Sequence, residues 1–564
     1  MRVELAGATP SSGVATTLRF RRRRIDGFEL GLLAAFAAVS IWVLALDVWQ
    51  VVAHGLVWTG TDGFFVIDQM QYLAWIRDAS HHLLASNLFV LRSTPADYFQ
   101  PAVAVSGVFA ALGLAPSLSL LLWKPVAVVA TFFGTRAYVN RSLTWRSERR
   151  PALALGLFFA SFTSVFGAFG VIGDLAPGFL SWGYPFGLLS LAAMLFALVA
   201  YARDRTSHQL NWKAPVLGAL ASSLHPWQGE VLFLTIVGAE LISFTRGVVA
   251  RGGVSPLRLG ARLRQQLAPA AVMLGMTLLP LLYYAVLGKV DLSWGLAREA
   301  SRHSFSLWSM VLALAPLALP ALLAYRMPPR DFLAAATRIW PLAALIVYEL
   351  SSIMKVTPLH AFSGITVPLA ILAIEGLRLV RWNRLPRARV IGWALVIAGT
   401  VPATAYELSV AHKFMAPTPG NANFIAPDEQ RALDYLSRTR QQGGVLTRFY
   451  LGSVVPARTG RRTFVGNCLW SQPHCTPRAQ TVQKLFDGTL SRRTARGFVR
   501  RSGARFALAD CQFPARLIRT LGELVVGTHH FGCATVYELD APGPAVGPLA
   551  ESRANAAVRP ARRQ

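Results

Sequence analysis

Long apolar runs recur from residue 30 to residue 409, and arginine-rich stretches separate many of them. A helix that crosses the hydrocarbon core of a bilayer takes about 20 apolar residues. The runs 30–52, 123–140, 151–172, 186–202, 213–226, 228–245, 267–288, 307–325, 338–354, 361–379 and 389–409 are candidate spans. The predicted fold class is therefore a polytopic α-helical membrane protein with about eleven transmembrane helices. Composition agrees, with 15% charged residues against about 25% in a soluble domain. A net charge of +28 would suit a nucleic-acid binder. The arginines fall between apolar runs and in the tail, however, and no base-reading motif surrounds them. Orientation in a bilayer and contact with anionic lipid account for them, so membrane lipids are expected partners and nucleic acid is not. Arginine far outnumbers lysine and alanine is abundant, which points to a GC-rich bacterial genome and a bacterial plasma membrane.

Topology turns on residues 101–121, which are also apolar. If they span, the basic loops 141–150 and 203–213 become external. If they lie along the outer face, the basic segments 19–24, 141–150, 203–213, 246–264, 326–338 and 378–389 all become cytoplasmic, as the positive-inside rule requires. The second arrangement is the expected one. Arg21 to Arg24 precede the first span and hold the N-terminus in the cytoplasm, and that span is too long for a cleaved signal. The chain then divides into a cytoplasmic basic N-terminus (1–28), a membrane part (29–409, with 53–122 as its first external loop), an extracytoplasmic domain (410–540) and a disordered basic tail (541–564).

All four cysteines lie in that C-terminal domain. An even set in an oxidising compartment predicts disulfides, most simply Cys468 with Cys475 and Cys511 with Cys533. A zinc site drawing on His474, His529 or His530 is the rival reading, without the usual C-x-x-C spacing. Strands are predicted at 444–450, 463–466, 505–509 and 534–539, with helices at 427–439, 478–486, 491–502 and 514–525. The pattern is that of a small α/β domain.

The first external loop carries the strongest chemical signal, T-G-T-D-G-F-F-V-I-D-Q-M-Q-Y-L-A-W-I-R-D-A-S at residues 59–80. From Asp68 onward, Tyr72, Leu73, Trp75, Ile76 and Ala79 recur at helical spacing. This predicts an amphipathic helix with Asp68 at its start, lying on the membrane with its aromatic face in the interface. Asp68-Gln-Met-Gln-Tyr72, followed by Phe99-Gln100-Pro101 and a second apolar stretch, resembles the GT-C superfamily of membrane glycosyltransferases. That superfamily includes protein O-mannosyltransferases and lipid A aminoarabinose transferases. Many of its members carry Asp-Glu at the acidic position, where this chain has Gln69. The C-terminal V-P-A-R-T-G-R-R-T-F-V-G-N, R-R-S-G-A-R-F-A-L-A-D and A-T-V-Y-E-L are similar to the tails of uncharacterised actinobacterial membrane proteins. Those relatives imply no particular substrate.

The resemblance implies a GT-C-like fold and sugar transfer from a polyprenyl-phosphate donor to a glycan, lipid or protein acceptor. It makes Asp68 the general base, with Asp62 the second candidate. The threading sets Arg302, His303, Lys355, His360 and His225 at external helix ends, where each could meet the donor phosphate. Asp174, Tyr72 and Trp75 are candidates for acceptor or sugar contact, as are Trp182, Trp227 and Trp294 by stacking. The sequence requires no cofactor and assigns no metal ligand, while leaving room for a divalent cation. Each residue also has a plainer reading: Asp68 as a helix cap, Asp62 as a turn residue, the segment from His225 to Gln228 as a hairpin turn, Arg302 and Lys355 at lipid headgroups, and the tryptophans as an interfacial belt. Two other functions stay open: a transporter or flippase, and a non-catalytic envelope scaffold.

Overall fold

The computed structural model describes residues 24–63, 65–160, 175–207, 211–249, 256–301, 307–353, 357–380, 387–513 and 515–540. Among the described residues, seven helices are long and apolar enough to cross a membrane: Gly27–His54, Pro116–Ser142, Pro185–Arg205, Pro226–Arg246, Ala268–Val290, Phe332–Ile353 and Arg389–Phe414. Three shorter apolar helices, Pro101–Ala111, Trp308–Ala324 and Thr366–Leu377, accompany them. The first, α1 (Gly27–His54), starts at a capping box in which Asp26 and Glu29 exchange hydrogen bonds, and stops at Gly55 in the left-handed conformation. Proline opens several helices, where its missing N–H costs nothing. One of these follows Lys213–Leu224 directly, with His225 alone, in extended backbone, joining it to the helix that begins at Pro226.

Residues 101–121 do not form the single surface stretch expected. They split at a turn containing Gly113: α3 (Pro101–Ala111) ends before it, and residues from Pro116 run on into the span ending at Ser142.

Charge is arranged by helix end. Where α1 begins, Asp26 pairs with Arg146 (2.5 Å) and Arg150 (3.1 Å), Glu29 with Arg136 (2.9 Å), and Glu148 with Arg378. Glu375 joins the same belt through Arg330 (3.3 Å) and Arg338 (2.9 Å). These are the flanks of the basic loops. The opposite end carries the first loop and the C-terminal segment.

After the last long helix the chain returns to the loop that follows α1. Strand β1 (Val57–Trp58) pairs antiparallel with β2 (Phe424–Ile425). A four-stranded sheet follows, in the order β3 (Val445–Thr447), β4 (Phe506–Ala509), β6 (Ala534–Leu539), β5 (Val525–Phe531), with β3 and β4 parallel and the other pairs antiparallel. Helices Pro427–Arg438, Cys475–Phe486 and Arg492–Ser502 lie close to their predicted ranges. The predicted strand 444–450 stops at Thr447 and gives way to a helix, Phe449–Thr459, that the sequence pattern missed. Strand β5 was also missed, 463–466 contributes only a bridge from Thr463 to Val445, and 514–525 is α-helical only over Leu517–Leu521. Both disulfides form as expected, with Cα–Cα distances of 5.2 Å for Cys468–Cys475 and 4.9 Å for Cys511–Cys533. All four sulfurs are used, which leaves none for the rival zinc reading. Asp428 lies against the Cys511–Cys533 pair, where it accepts from the Cys533 main-chain N–H at 2.9 Å.

Helix α2 (Val66–His82) corrects a further expectation. It does not lie with its aromatic face in a membrane interface. Leu73, Ala74, Trp75, Ile76 and Ala79 are buried, in one core with Leu433, Leu451, Val454, Trp470 and Val536 of the C-terminal segment. Burying a leucine, isoleucine or valine side chain is worth roughly 1.5–3 kcal/mol, so the first loop and the C-terminal sheet stabilise one another.

Candidate active site

Helix α2 begins at Val66 with Phe65 as its N-cap, so Asp68 stands inside the first turn and not at the cap position. No side chain caps this helix. The Asp68 carboxylate instead accepts a hydrogen bond from the Tyr184 hydroxyl at 3.0 Å. Tyr184 immediately precedes the helix opened by Pro185; its ring stacks on Phe65 (centroids 5.0 Å apart) and meets the His360 ring edge-on (5.2 Å). His360 sits in the short turn Leu359–Phe362 and faces His225 (5.1 Å) and Trp227 (4.9 Å). Gln228 ties the two turns together. Its Nε2 donates to the His360 carbonyl at 3.1 Å and its Oε1 is bonded to His225 Nδ1. With Nδ1 donating to the amide oxygen, His225 keeps Nε2 as an acceptor.

Phe65, Asp68, Tyr184, His225, Trp227 and His360 line one cavity of about 1270 Å³. One wall is made of membrane-helix side chains, among them Phe233, Leu234, Leu278, Leu281, Leu282 and Val347. The other end is polar, holding Asp68, Gln71, His225 and His360. The loop closed by Cys468–Cys475 covers it, contributing Trp470, Gln472 and His474. That loop is fixed to α2 and to the segment after it: the Trp470 indole donates to Gln71 of α2, and the side chain of Asn87, beyond the helix, donates to the Trp470 carbonyl at 2.9 Å. Trp470 also packs against Trp75 (5.2 Å) and Trp294 (4.6 Å), and Trp294 against Tyr98 (4.4 Å).

Of the sequence candidates, Asp68, Tyr72, Trp75, His225 and His360 come together here, with Trp227 and Trp294. Trp75 is only 4% exposed and serves as wall more than as an open stacking face. Burial, with the Asp68 charge nearby, pushes the Tyr72 phenol above its usual range, so Tyr72 is a hydrogen-bond donor and not a base. Asp62 does not line the cavity. It is buried in an ion pair with Lys124, on a loop whose Gly63 (φ 151°) passes against the Trp182 carbonyl, where a Cβ would collide. Gln69, at the position of the second acid, grips the Asp62 main chain, accepting from its N–H at 2.6 Å and donating to its C=O at 2.9 Å. Trp182 is buried outside the cavity, with its indole on the Val39 carbonyl. Asp174, Arg302, His303 and Lys355 lie outside the described residues.

Tyr184, Glu230 and Arg298 also line the cavity, and the sequence reading did not single them out. Glu230 had a usable signal, an acid in an otherwise apolar run five residues after His225. Tyr184 had none, because its contact with Asp68 joins positions 116 residues apart.

No protein-family model matches the chain, and a search of curated proteins gives no match. Among solved structures, the chain is similar to the oligosaccharyltransferase of Archaeoglobus fulgidus in its apo form. The TM-score is 0.52 at 13% identity, over 91% of this chain and 75% of that one. ArnT from Cupriavidus metallidurans, solved with undecaprenyl phosphate bound, aligns at a TM-score of 0.46 and 13% identity, over 90% of this chain and 98% of that one.

Proposed function

We propose that this chain, whose fold is that of the GT-C membrane glycosyltransferases, moves a sugar from a polyprenyl-phosphate donor to an acceptor hydroxyl at the extracytoplasmic face. The single observation that carries the proposal is the joining of Asp68 to a leucine-rich membrane-helix wall within one cavity. A polyprenyl chain needs an apolar surface and its phosphate needs donors, and the cavity supplies both. The acceptor belongs to a glycan, lipid or protein and enters under the Cys468–Cys475 loop. The fold likeness to an oligosaccharyltransferase supports the same reaction class.

Asp68 takes the proton of the acceptor hydroxyl as that oxygen attacks the anomeric carbon. The new bond forms between acceptor oxygen and sugar carbon, the bond from that carbon to the phosphate oxygen breaks, and polyprenyl phosphate leaves with the electron pair. Negative charge grows on the phosphate, so donors aimed at it stabilise the transition state more than the ground state. Arg298, His360 and His225 are the described candidates, with Arg302, His303 and Lys355 kept from the sequence. Tyr184 holds the Asp68 carboxylate in place. The disulfides support an oxidising compartment outside a bacterial plasma membrane, and the positive-inside rule supports basic loops and an N-terminus that face the cytoplasm.

The test is transfer of radiolabelled sugar from polyprenyl-phosphate donors in membranes carrying wild type or Asp68→Asn at equal expression. Wild type is expected to form product, and Asp68→Asn to lose about 10²–10⁴-fold of the rate. Undiminished transfer by the variant would remove Asp68 from the role of base. The second reading, a carrier of lipid-linked substrate, is favoured by the buried Asp47, Lys124 and Glu407 within candidate spans. Absence of product with every donor and acceptor, together with donor movement across vesicles, would select it.

A further inference from the structure

Outside the cavity, four polar side chains are shut away from solvent where α1 meets the span Pro116–Ser142. Asp47 is 0% exposed, Gln50 and Asp62 are each 3%, and Lys124 is 6%. Asp47 and Gln50 are three residues apart on the buried face of α1, so their side chains are neighbours. Lys124 Nζ is paired with Asp62 Oδ2, and Lys124 is also the charge that acts on Asp47. Both carboxylate oxygens of Asp47, Oδ1 of Asp62 and Oε1 of Gln50 have no hydrogen-bond partner among the described residues.

Together these side chains carry four acceptor oxygens without donors among the described residues, and two carboxylates against one ammonium. A buried carboxylate left in that condition is strongly unfavourable and must be neutralised by a proton or a cation. The donor set, carboxylate and amide oxygens with no sulfur or imidazole, suits a hard cation. The charge count selects its valence: one positive charge brings the group to zero, whereas a divalent ion would leave an excess positive charge beside Lys124. We propose that Asp47, Gln50 and Asp62 bind a sodium ion, with Lys124 holding the second oxygen of Asp62.

The site would act on the loop that leads to α2. Gln69 grips the Asp62 main chain through two hydrogen bonds and is the residue next to Asp68. On the other side Thr59 donates to the carbonyls of Ala422 (2.7 Å) and Asn423 (3.0 Å), and Thr61 to the Asn423 side chain. An ion on Asp62 thus locks the first loop between α1 and the C-terminal segment. The role is structural and does not depend on what the cavity does.

Thermal unfolding of the purified full chain in detergent micelles tests this, with sodium chloride exchanged for choline chloride at constant ionic strength. Wild type is expected to gain a saturable rise in melting temperature with sodium, as for a ligand bound by the native state alone. Asp47→Asn should lose the sodium response and melt in choline no lower than wild type, because its uncompensated charge is gone. Gln50→Leu should need about tenfold more sodium for half the effect, which keeps the test informative if Asp47→Asn fails to fold. A wild-type melting temperature indifferent to sodium would overturn the proposal, with a proton on Asp47 as the remaining account. So would a sodium response retained in Asp47→Asn, or stabilisation by calcium and not by sodium.

Discussion

The Tyr184 hydroxyl donates to Asp68 across 3.0 Å while its ring is held by Phe65 and His360, so one atom can be removed without disturbing the packing. A hydrogen bond to a charged group contributes about 1.5–3 kcal/mol. Tyr184→Phe is therefore expected to lower kcat by about 10- to 100-fold if the bond orients the base for the transition state. Donor and acceptor KM should stay within about twofold, since no substrate contact is removed. A rise in acceptor KM at unchanged kcat would assign the hydroxyl to binding instead. At this scale the sequence was legible where chemistry and local pattern coincide. Asp68 and Tyr72 stand together in one short motif, and His225 and His360 at the ends of apolar runs. It was silent on partners, since nothing near Tyr184 or Trp470 in the chain announces the group each will meet. Asp62 shows the reverse failure. It ranked as the second candidate base, and Lys124, 62 residues away, pairs with it outside the cavity.

Helix α2 shows how far periodicity reaches. The 3.6-residue repeat correctly implied a helix with one apolar face, but an apolar face is equally well covered by lipid or by protein. The deciding partner was the helix Phe449–Thr459, which the sequence pattern concealed. The predicted strand 444–450 ran through Phe449 and Tyr450, where tertiary packing starts a helix instead. The loop closed by Cys468–Cys475 is the element that converts this packing into a cavity roof. The two cysteines are seven positions apart, and closing so short a loop is worth about 2.5 kcal/mol by chain entropy. With both cysteines replaced by serine, Trp470 should stay anchored on Gln71 while Gln472 and His474 lose their fixed positions over the cavity. The expected result is an acceptor KM raised at least threefold, with donor KM near wild type. Equal changes in both constants would mean that the loop supports the whole cavity rather than its acceptor side.

For the whole molecule, counting helices does not fix which side of the membrane the cavity faces. Among the described residues, the seven long helices alone would put the two ends of the membrane part on opposite sides, whereas adding the three shorter apolar helices makes ten and puts them on the same side. Two other features carry the orientation. The ion-paired belt of Arg136, Arg146, Arg150, Arg330, Arg338 and Arg378 gathers where α1 begins, and basic flanks stay in the cytoplasm. Both disulfides lie in the segment that covers the cavity, at the other end, and disulfides persist on the oxidising side. Four cysteines are present in the whole chain, all paired, so thiol labelling can read both features in one experiment. Intact cells treated with a mild reductant and a membrane-impermeant maleimide should label the native cysteines. A single cysteine at Trp145→Cys, in a background with the native four replaced by serine, sits on an exposed residue (66%) beside the arginine belt and should label only after lysis. That pair of results would place the cavity and its Asp68 on the outer face, where a lipid-linked donor must first have been delivered across the membrane. The inverse pair would put the cavity in the cytoplasm, deprive the disulfides of their oxidising compartment, and remove the basis for an extracytoplasmic acceptor.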